Sequence, residues 1–243
     1  MSVDFNPILK ELISRFTITK SSEQLAAHYS AEVSSFYQPR FNAGPAQLIP
    51  VLTSENKDGF SFFYWGLSPE RSRNKAISEK ILNRHVSDIL ARPVQIRHLK
   101  SHRCIIPSDG YYFWRPLGKK ATIPYRITLK GNQIFSMAGI WEEFETENGE
   151  MHHTFSLITC NSVPGLSDIH SRMPKVIDRS EESLWLDPKA DEQTLLNIIN
   201  NQSHAEWEFY TVSHHLEDLS RDVPSMIIPA PPADQFGNLT LFG

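Results

Sequence analysis

The chain has 243 residues, 40% of them hydrophobic and 21% charged, with a formal net charge of −4, which suits a soluble protein of one large domain or two small ones with a well-filled core. No run approaches the roughly 18 uninterrupted apolar residues of a membrane span, and Met1-Ser2-Val3-Asp4 lacks the basic and apolar regions of a signal peptide, so a cytoplasmic location is expected. Ten histidines occur without an HExxH or paired C-x-x-C, and Cys104 and Cys160 sit in apolar runs, so buried reduced thiols are expected, with no metal and no cofactor.

In chain order, Asn6-Pro7 followed by Ile8, Leu9 and Leu12 predicts a short capped helix. Arg15 to Thr19 alternates as a strand, and Ser21-x-x-Gln24 forms a capping box for a helix through Leu25, Ala26 and Tyr29. Arg40 to Pro45 reads as a turn, Leu48 to Leu52 as an apolar strand, and Phe60 to Leu67 as an aromatic strand closed by Ser68-Pro69. A basic segment follows, with a short strand or turn at Ile81-Leu82-Asn83. From Arg71 to Arg103 nine lysines and arginines face only Glu79 and Asp88, while much of the compensating acid lies in Glu142, Glu143, Glu145, Glu147, Glu150, Glu181 and Glu182. A basic face on an acidic protein suits phosphate binding, and a merely solvated loop fits the charge count equally well.

Arg103-Cys104-Ile105-Ile106-Pro107-Ser108-Asp109-Gly110-Tyr111-Tyr112-Phe113-Trp114 reads as strand, tight turn and aromatic strand, a hairpin turned by Asp-Gly. Tyr125 to Leu129 and Ile134 to Trp141 are joined by Lys130-Gly131-Asn132-Gln133, and Asn148-Gly149 precedes the strand Thr154 to Thr159. These connections predict antiparallel neighbours. Ser180 to Leu186 and Asp191 to Ile199 read as helices and Trp207 to Val212 as the last strand. The end, with Pro229-Ala230-Pro231-Pro232, reads as an extended, poorly ordered tail. Strands dominate and no repeat is present, so the expected class is α+β, a curled, mostly antiparallel sheet with flanking helices.

Seven ordered blocks then resemble the signatures of the SOS-response-associated peptidase (SRAP) family. They are Arg15-Phe16, Arg40-Phe41-Asn42-Ala43-Gly44-Pro45, Trp65-Gly66-Leu67-Ser68-Pro69, Asn83, the stretch from Arg103 to Trp114, Ala138-Gly139-Ile140-Trp141-Glu142, and Ile169-His170-Ser171-Arg172-Met173-Pro174. The resemblance runs from about Ile13 to Val212. It implies a barrel-like SRAP fold, organised as an extension over residues 1–12, one domain over 13–225 and a proline-rich tail over 226–243.

Members of the family hold single-stranded DNA and join covalently to abasic sites through an N-terminal cysteine. The sugar's aldehyde forms a Schiff base with the α-amine, and the thiolate closes a thiazolidine ring. An asparagine, a glutamate and a histidine position the sugar and move protons, and arginines grip phosphates. A self-cleaving peptidase activity exposes the cysteine. Carried onto this sequence, the resemblance makes Asn83 and His170 the retained catalytic residues, and Arg15, Asn42, Trp65, Arg84, His85, Trp114 and Arg172 the DNA-binding set. Trp65 and Trp114 have core packing as their alternative, and one of them in a channel would stack on a base. Asn83 has a turn-bracing alternative and His170 a structural one.

The departures fall where the chemistry is concentrated. Ile13 stands at the nucleophile position and Phe113 at the glutamate position. His85 stands at the second phosphate-gripping arginine, and an imidazole there would grip DNA less firmly than a permanently charged guanidinium. Three readings follow. The first is a degenerate SRAP protein that binds single-stranded or abasic DNA without the covalent link. The second is a residual lyase or self-processing peptidase using the Ser2 amine, or Cys160 with His170 as base. The third is a non-enzymatic regulator whose site is plugged by the apolar N-terminal helix.

Overall fold

The computed structural model describes residues 12–68, 79–118, 121–146, 148–203 and 205–240. The helix expected at Asn6-Pro7 and the basic residues Arg71, Arg73 and Lys75 lie outside the described residues.

Leu12 and Ile13 are already interior where the chain runs into strand β1 (Phe16–Ile18). Helix α1 (Ser22–Tyr29) begins with the expected reciprocal cap, Gln24 N donating to Ser21 Oγ and Ser21 N to Gln24 Oε1. The block expected as a turn at 40–45 begins as a strand, β2 (Arg40–Ala43), pairing with β1. β3 (Leu48–Thr53) and β4 (Ser61–Trp65) then form an antiparallel pair. The basic segment is more helical than its charge pattern suggests: α2 (Glu79–Leu82), β5 (Asn83–His85), α3 (Val86–Leu90) and α4 (Pro93–Ser101). Pro93 fits the first turn of α4, where an N–H has no helical partner to lose, and Leu99 anchors its inner face.

Five long strands follow: β6 (Arg103–Ser108), β7 (Gly110–Leu117), β8 (Ala121–Leu129), β9 (Phe135–Glu145) and β10 (Met151–Asn161). Short β11 (Arg172–Pro174) and β12 (Val176–Ile177) lead to α5 (Glu182–Trp185) and α6 (Glu192–Asn200). Strand β13 (Trp207–Thr211) and two 3-10 turns, His214–Glu217 and Pro224–Ile227, complete the order.

The strands form a closed barrel and an open sheet. β10, β4, β3, β6 and β9 are hydrogen-bonded in succession, and β9 pairs again with β10 to close the ring. Within the ring only β4 and β10 run parallel. β5 and β11 attach to β10, and β12 attaches to β9. The second sheet has the order β13-β8-β7-β1-β2. The expected α+β class with a barrel-like, mostly antiparallel sheet describes this architecture. Its core includes Phe16, Trp65, Cys104, Ile105, Phe155 and Trp185.

Two connections that read as hairpin turns do not make hairpins. β6 pairs with β3 and β9, whereas β7 pairs with β1 and β8, so Asp109-Gly110 is a corner between the barrel and the open sheet. Gly110 is there for space and not for left-handed backbone: a Cβ would lie 2.8 Å from Arg126 Nε. The buried Asp109 carboxylate accepts from Thr17 Oγ1 at 2.6 Å and from Thr19 N at 3.1 Å, and stands 3.4 Å from Arg126 Nη2. Likewise the turn at 130–133 carries the chain from β8 in the open sheet to β9 in the barrel. Asn148-Gly149 does join paired strands, with His152 opposite Phe144.

The proline-rich end packs onto the domain up to residue 240 and does not trail from it. Met226 is buried, Ala230 N donates to Thr211 O at 2.9 Å, and Thr122 N donates to Gln235 Oε1 at 2.8 Å. No helix among the described residues is long and apolar enough to cross a membrane.

Candidate functional site

The pairing of β1 with β7 brings Ile13 and Phe113 into one region. Tyr112 N donates to Arg15 O at 3.0 Å, and Ile13 and Phe113 are both buried in one continuous apolar cluster. Asn83, at the head of β5, donates from Nδ2 to the carbonyl of Ile13 at 3.0 Å. His170 arrives on a turn in which His170 N bonds Leu166 O at 3.0 Å, and its ring stacks on Phe113 with centroids 3.6 Å apart and an interplanar angle of 26°. Its Nδ1 is 2.6 Å from Arg172 O and 3.2 Å from Arg172 N, so either tautomer fixes the ring on the Arg172 backbone. Each of these two polar residues therefore meets an apolar one: Asn83 meets the carbonyl of Ile13, and His170 meets the ring of Phe113.

Three polar atoms in this region are buried without a hydrogen-bond partner among the described residues: Ser14 Oγ, Asn83 Oδ1 and Thr159 Oγ1. Thr159 lies on β10 between His85 of β5 and Pro174 of β11. An unmet buried polar group costs about 1–3 kcal/mol, and native proteins keep few of them.

The remaining sequence-predicted residues divide into buried and accessible sets. Arg15 is 3% exposed, with Nη1 donating to Ser14 O at 2.7 Å; burial pushes its guanidinium down to about 10, and the charge of Glu217 acts against that shift. Asn42 is fully buried and donates from Nδ2 to the carbonyls of Leu216, Asp218 and Arg221 at 3.0–3.2 Å. Residues 216–221 thus lie over Arg15 and Asn42, and Gly44 admits them closely, since a Cβ there would stand 2.3 Å from Leu219 Cδ2. Trp65 donates from Nε1 to Leu82 O at 3.2 Å and stacks on Phe155 inside the core. Trp114 is buried with Tyr112, Val212 and Leu216. Neither indole offers an open face for a base.

Arg84, His85 and Arg172 are partly exposed. Arg84 pairs with Glu142 and donates to Gln95 Oε1 at 2.8 Å, while His85 Nδ1 accepts from Ser87 N at 3.2 Å and caps α3. Of the basic segment, Arg92, Arg97 and Lys100 are exposed, with Lys100 3.5 Å from Glu192. Arg103 is wholly internal and donates to the carbonyls of Leu99, Lys100, Trp185 and Asp187. It is a structural residue. Sequence reasoning missed Glu142, Glu217 and Thr159 as neighbours of the site; Glu142 closes one of the quoted blocks, but its pairing with Arg84 spans 58 positions.

Both cysteines are free. Burial pushes the Cys104 thiol up, and it also raises Cys160, against the opposing charge of Lys175. Neither environment favours the thiolate.

The chain is similar to known proteins. An abasic site processing protein of Bacillus subtilis, YoqW, is 28% identical over 221 residues, covering 89% of this chain and 99% of its own. Another from the same organism, YoaM, is 32% identical over 184 residues, 73% of this chain and 80% of its own. The mouse abasic site processing protein HMCES is 29% identical over 234 residues, 80% of this chain and 66% of its own. A crystal structure of a Bacteroides thetaiotaomicron protein superposes with a TM-score of 0.75 at 26% identity, covering 89% of this chain and 99% of the other. The family profile described as "SOS response associated peptidase (SRAP)" matches residues 12–219, and the chain belongs to that family.

Proposed function

We propose that this protein binds single-stranded DNA at abasic sites and holds it without a covalent bond. The observation that carries the reading is the pairing of each retained polar residue with an inert one, Asn83 with the Ile13 carbonyl and His170 with the Phe113 ring. An isoleucine supplies no nucleophile and a phenyl ring moves no proton, so the covalent chemistry implied by the family resemblance lacks both its attacking group and its acid here. The unmet Ser14 Oγ, Asn83 Oδ1 and Thr159 Oγ1 support a polar ligand, because a sugar hydroxyl or water would meet them. Phosphate grip falls to His85 and Arg172, with the partly exposed Arg84 and the exposed Arg92, Arg97 and Lys100 adding longer-range attraction. Arg15 and Asn42 join that set only when the segment over them moves aside. The raised Cys160 thiol weighs against a route through Cys160 and His170.

The test is fluorescence anisotropy with a single-stranded oligonucleotide bearing one abasic site, paired with denaturing electrophoresis of the same mixtures. Binding at low salt that falls steeply as salt rises, with no denaturation-resistant adduct, is expected. A covalent adduct, or no binding at low salt, would refute the reading.

A further inference from the structure

Successive residues of a strand face opposite ways, so Arg84 projects from β5 on the side away from the Asn83 amide. On that side a cavity of about 350 Å³ opens among α3, α4 and β9. Arg84, Glu142, Gln95, Asp88, Arg92 and His98 supply its polar wall, Asn83 borders it at the head of β5, and Ile89 gives an apolar wall. Gln95 Oε1 accepts from Arg84 Nη1 at 2.8 Å, which turns its amide nitrogen into the group offered to a ligand. Glu142 engages Arg84 through Oε1 and keeps a second carboxylate oxygen to accept with.

The formal charges of this wall cancel, two arginines against two carboxylates. An inorganic anion would meet both carboxylates, and a metal cation both guanidinium groups. A neutral flat ring with one donating and one accepting edge satisfies both kinds of wall at once. Among the nucleobases, guanine has that combination: N1–H and the 2-amino group suit a carboxylate, and O6 with N7 suits an arginine. Adenine places an amino donor where O6 would stand, facing the arginine. The volume lies at the small end of ligand pockets and fits one base with its sugar.

We propose that the cavity beside Arg84 and Glu142 is a binding site for a guanine mononucleotide, the base held between carboxylate and guanidinium and the phosphate toward Arg92 at the rim. The inference does not depend on DNA binding by the Asn83 face.

Calorimetric titration of the full chain with guanosine 5′-monophosphate tests it, with adenosine and inosine monophosphates and inorganic phosphate as comparisons. The guanosine nucleotide is expected to bind at least about tenfold more tightly than the adenosine one. Inosine monophosphate, lacking the 2-amino group, should fall between them, and phosphate should not displace guanosine monophosphate. Glu142→Gln should erase most of the preference. Asp88→Asn, on an exposed helix position, offers a second variant with little risk to folding and should weaken binding several-fold. Equal affinity for the guanosine and adenosine nucleotides, displacement by phosphate, no binding up to millimolar nucleotide, or indifference to both substitutions would overturn the assignment.

Discussion

Position 13 carries the proposed reading in a single side chain. Isoleucine is 1% exposed there and part of the core, so on that reading it supplies packing and no attacking group. A chain shortened to begin at this position, carrying Ile13→Cys together with Phe113→Glu, is expected to form a denaturation-resistant adduct with an abasic oligonucleotide where the native chain forms none. Failure of the double variant to do so would mean that the site has diverged beyond these two positions. Lys175 is another informative residue. It is 2% exposed, donates to Asn201 O, and burial holds its ammonium below the ordinary 10.5 against the opposing charges of Cys160, Glu181 and Asp178. The folded chain therefore releases this proton before the unfolded chain does, so the unfolded state binds more protons between the lowered value and 10.5. Over that window Lys175 makes the native protein gain stability as pH rises, and below it the burial of the cation is a standing cost. Urea unfolding at several pH values should show the wild type gaining on Lys175→Met as conditions become alkaline; a constant difference would mean that the lysine titrates alike in both states.

Among elements, the corner between β6 and β7 is the most consequential. Asp109 and Arg126 are almost fully buried and share Thr17 as a hydrogen-bond neighbour. Removing one partner strands the other, so Asp109→Ala is expected to cost about 3–5 kcal/mol, read as a lower denaturant midpoint. Gly110→Ala, forced against the Arg126 guanidinium, should cost about 1–3 kcal/mol in the same assay. This corner also marks where sequence reading stops. Alternation and the capping box reveal most of the strands and α1, because those signals are local. Asp109-Gly110 and Gly131-Asn132 look like hairpin turns, yet which strand a neighbour pairs with depends on contacts from β1, β3 and β13, which no local pattern encodes. Helix α4 carried its signals, Pro93 at the start and Leu99 inside, but they were masked by the charge run in which they sit.

The whole molecule adds what neither residue nor element contains. Residues 213–222 return across the domain and cover Arg15 and Asn42, pinned where Asp222 accepts from Phe41 N at 2.6 Å and Asn42 N at 2.8 Å and pairs with Arg40. Asp222→Ala is expected to loosen this cover, lowering stability by about 1–2 kcal/mol and raising affinity for single-stranded DNA as Arg15 becomes reachable. Unchanged affinity at reduced stability would assign Arg15 a purely structural part. The blocks around Ile13, Asn83, Phe113 and His170 made the family legible, since their order along the chain identified it. The burial of Arg15 was not legible, because its neighbour Glu217 lies about two hundred residues away and no local pattern in 213–222 assigns that segment to β1 or β2. One feature of the barrel bears on its birth. The parallel seam of Trp65 with Phe155 joins segments ninety positions apart, so a ribosome must deliver roughly two thirds of the polypeptide before the ring can shut. Until then the nascent β4 presents an unpaired, aromatic-rich border, and slow translation over that interval would favour capture by chaperones or by a neighbouring nascent copy.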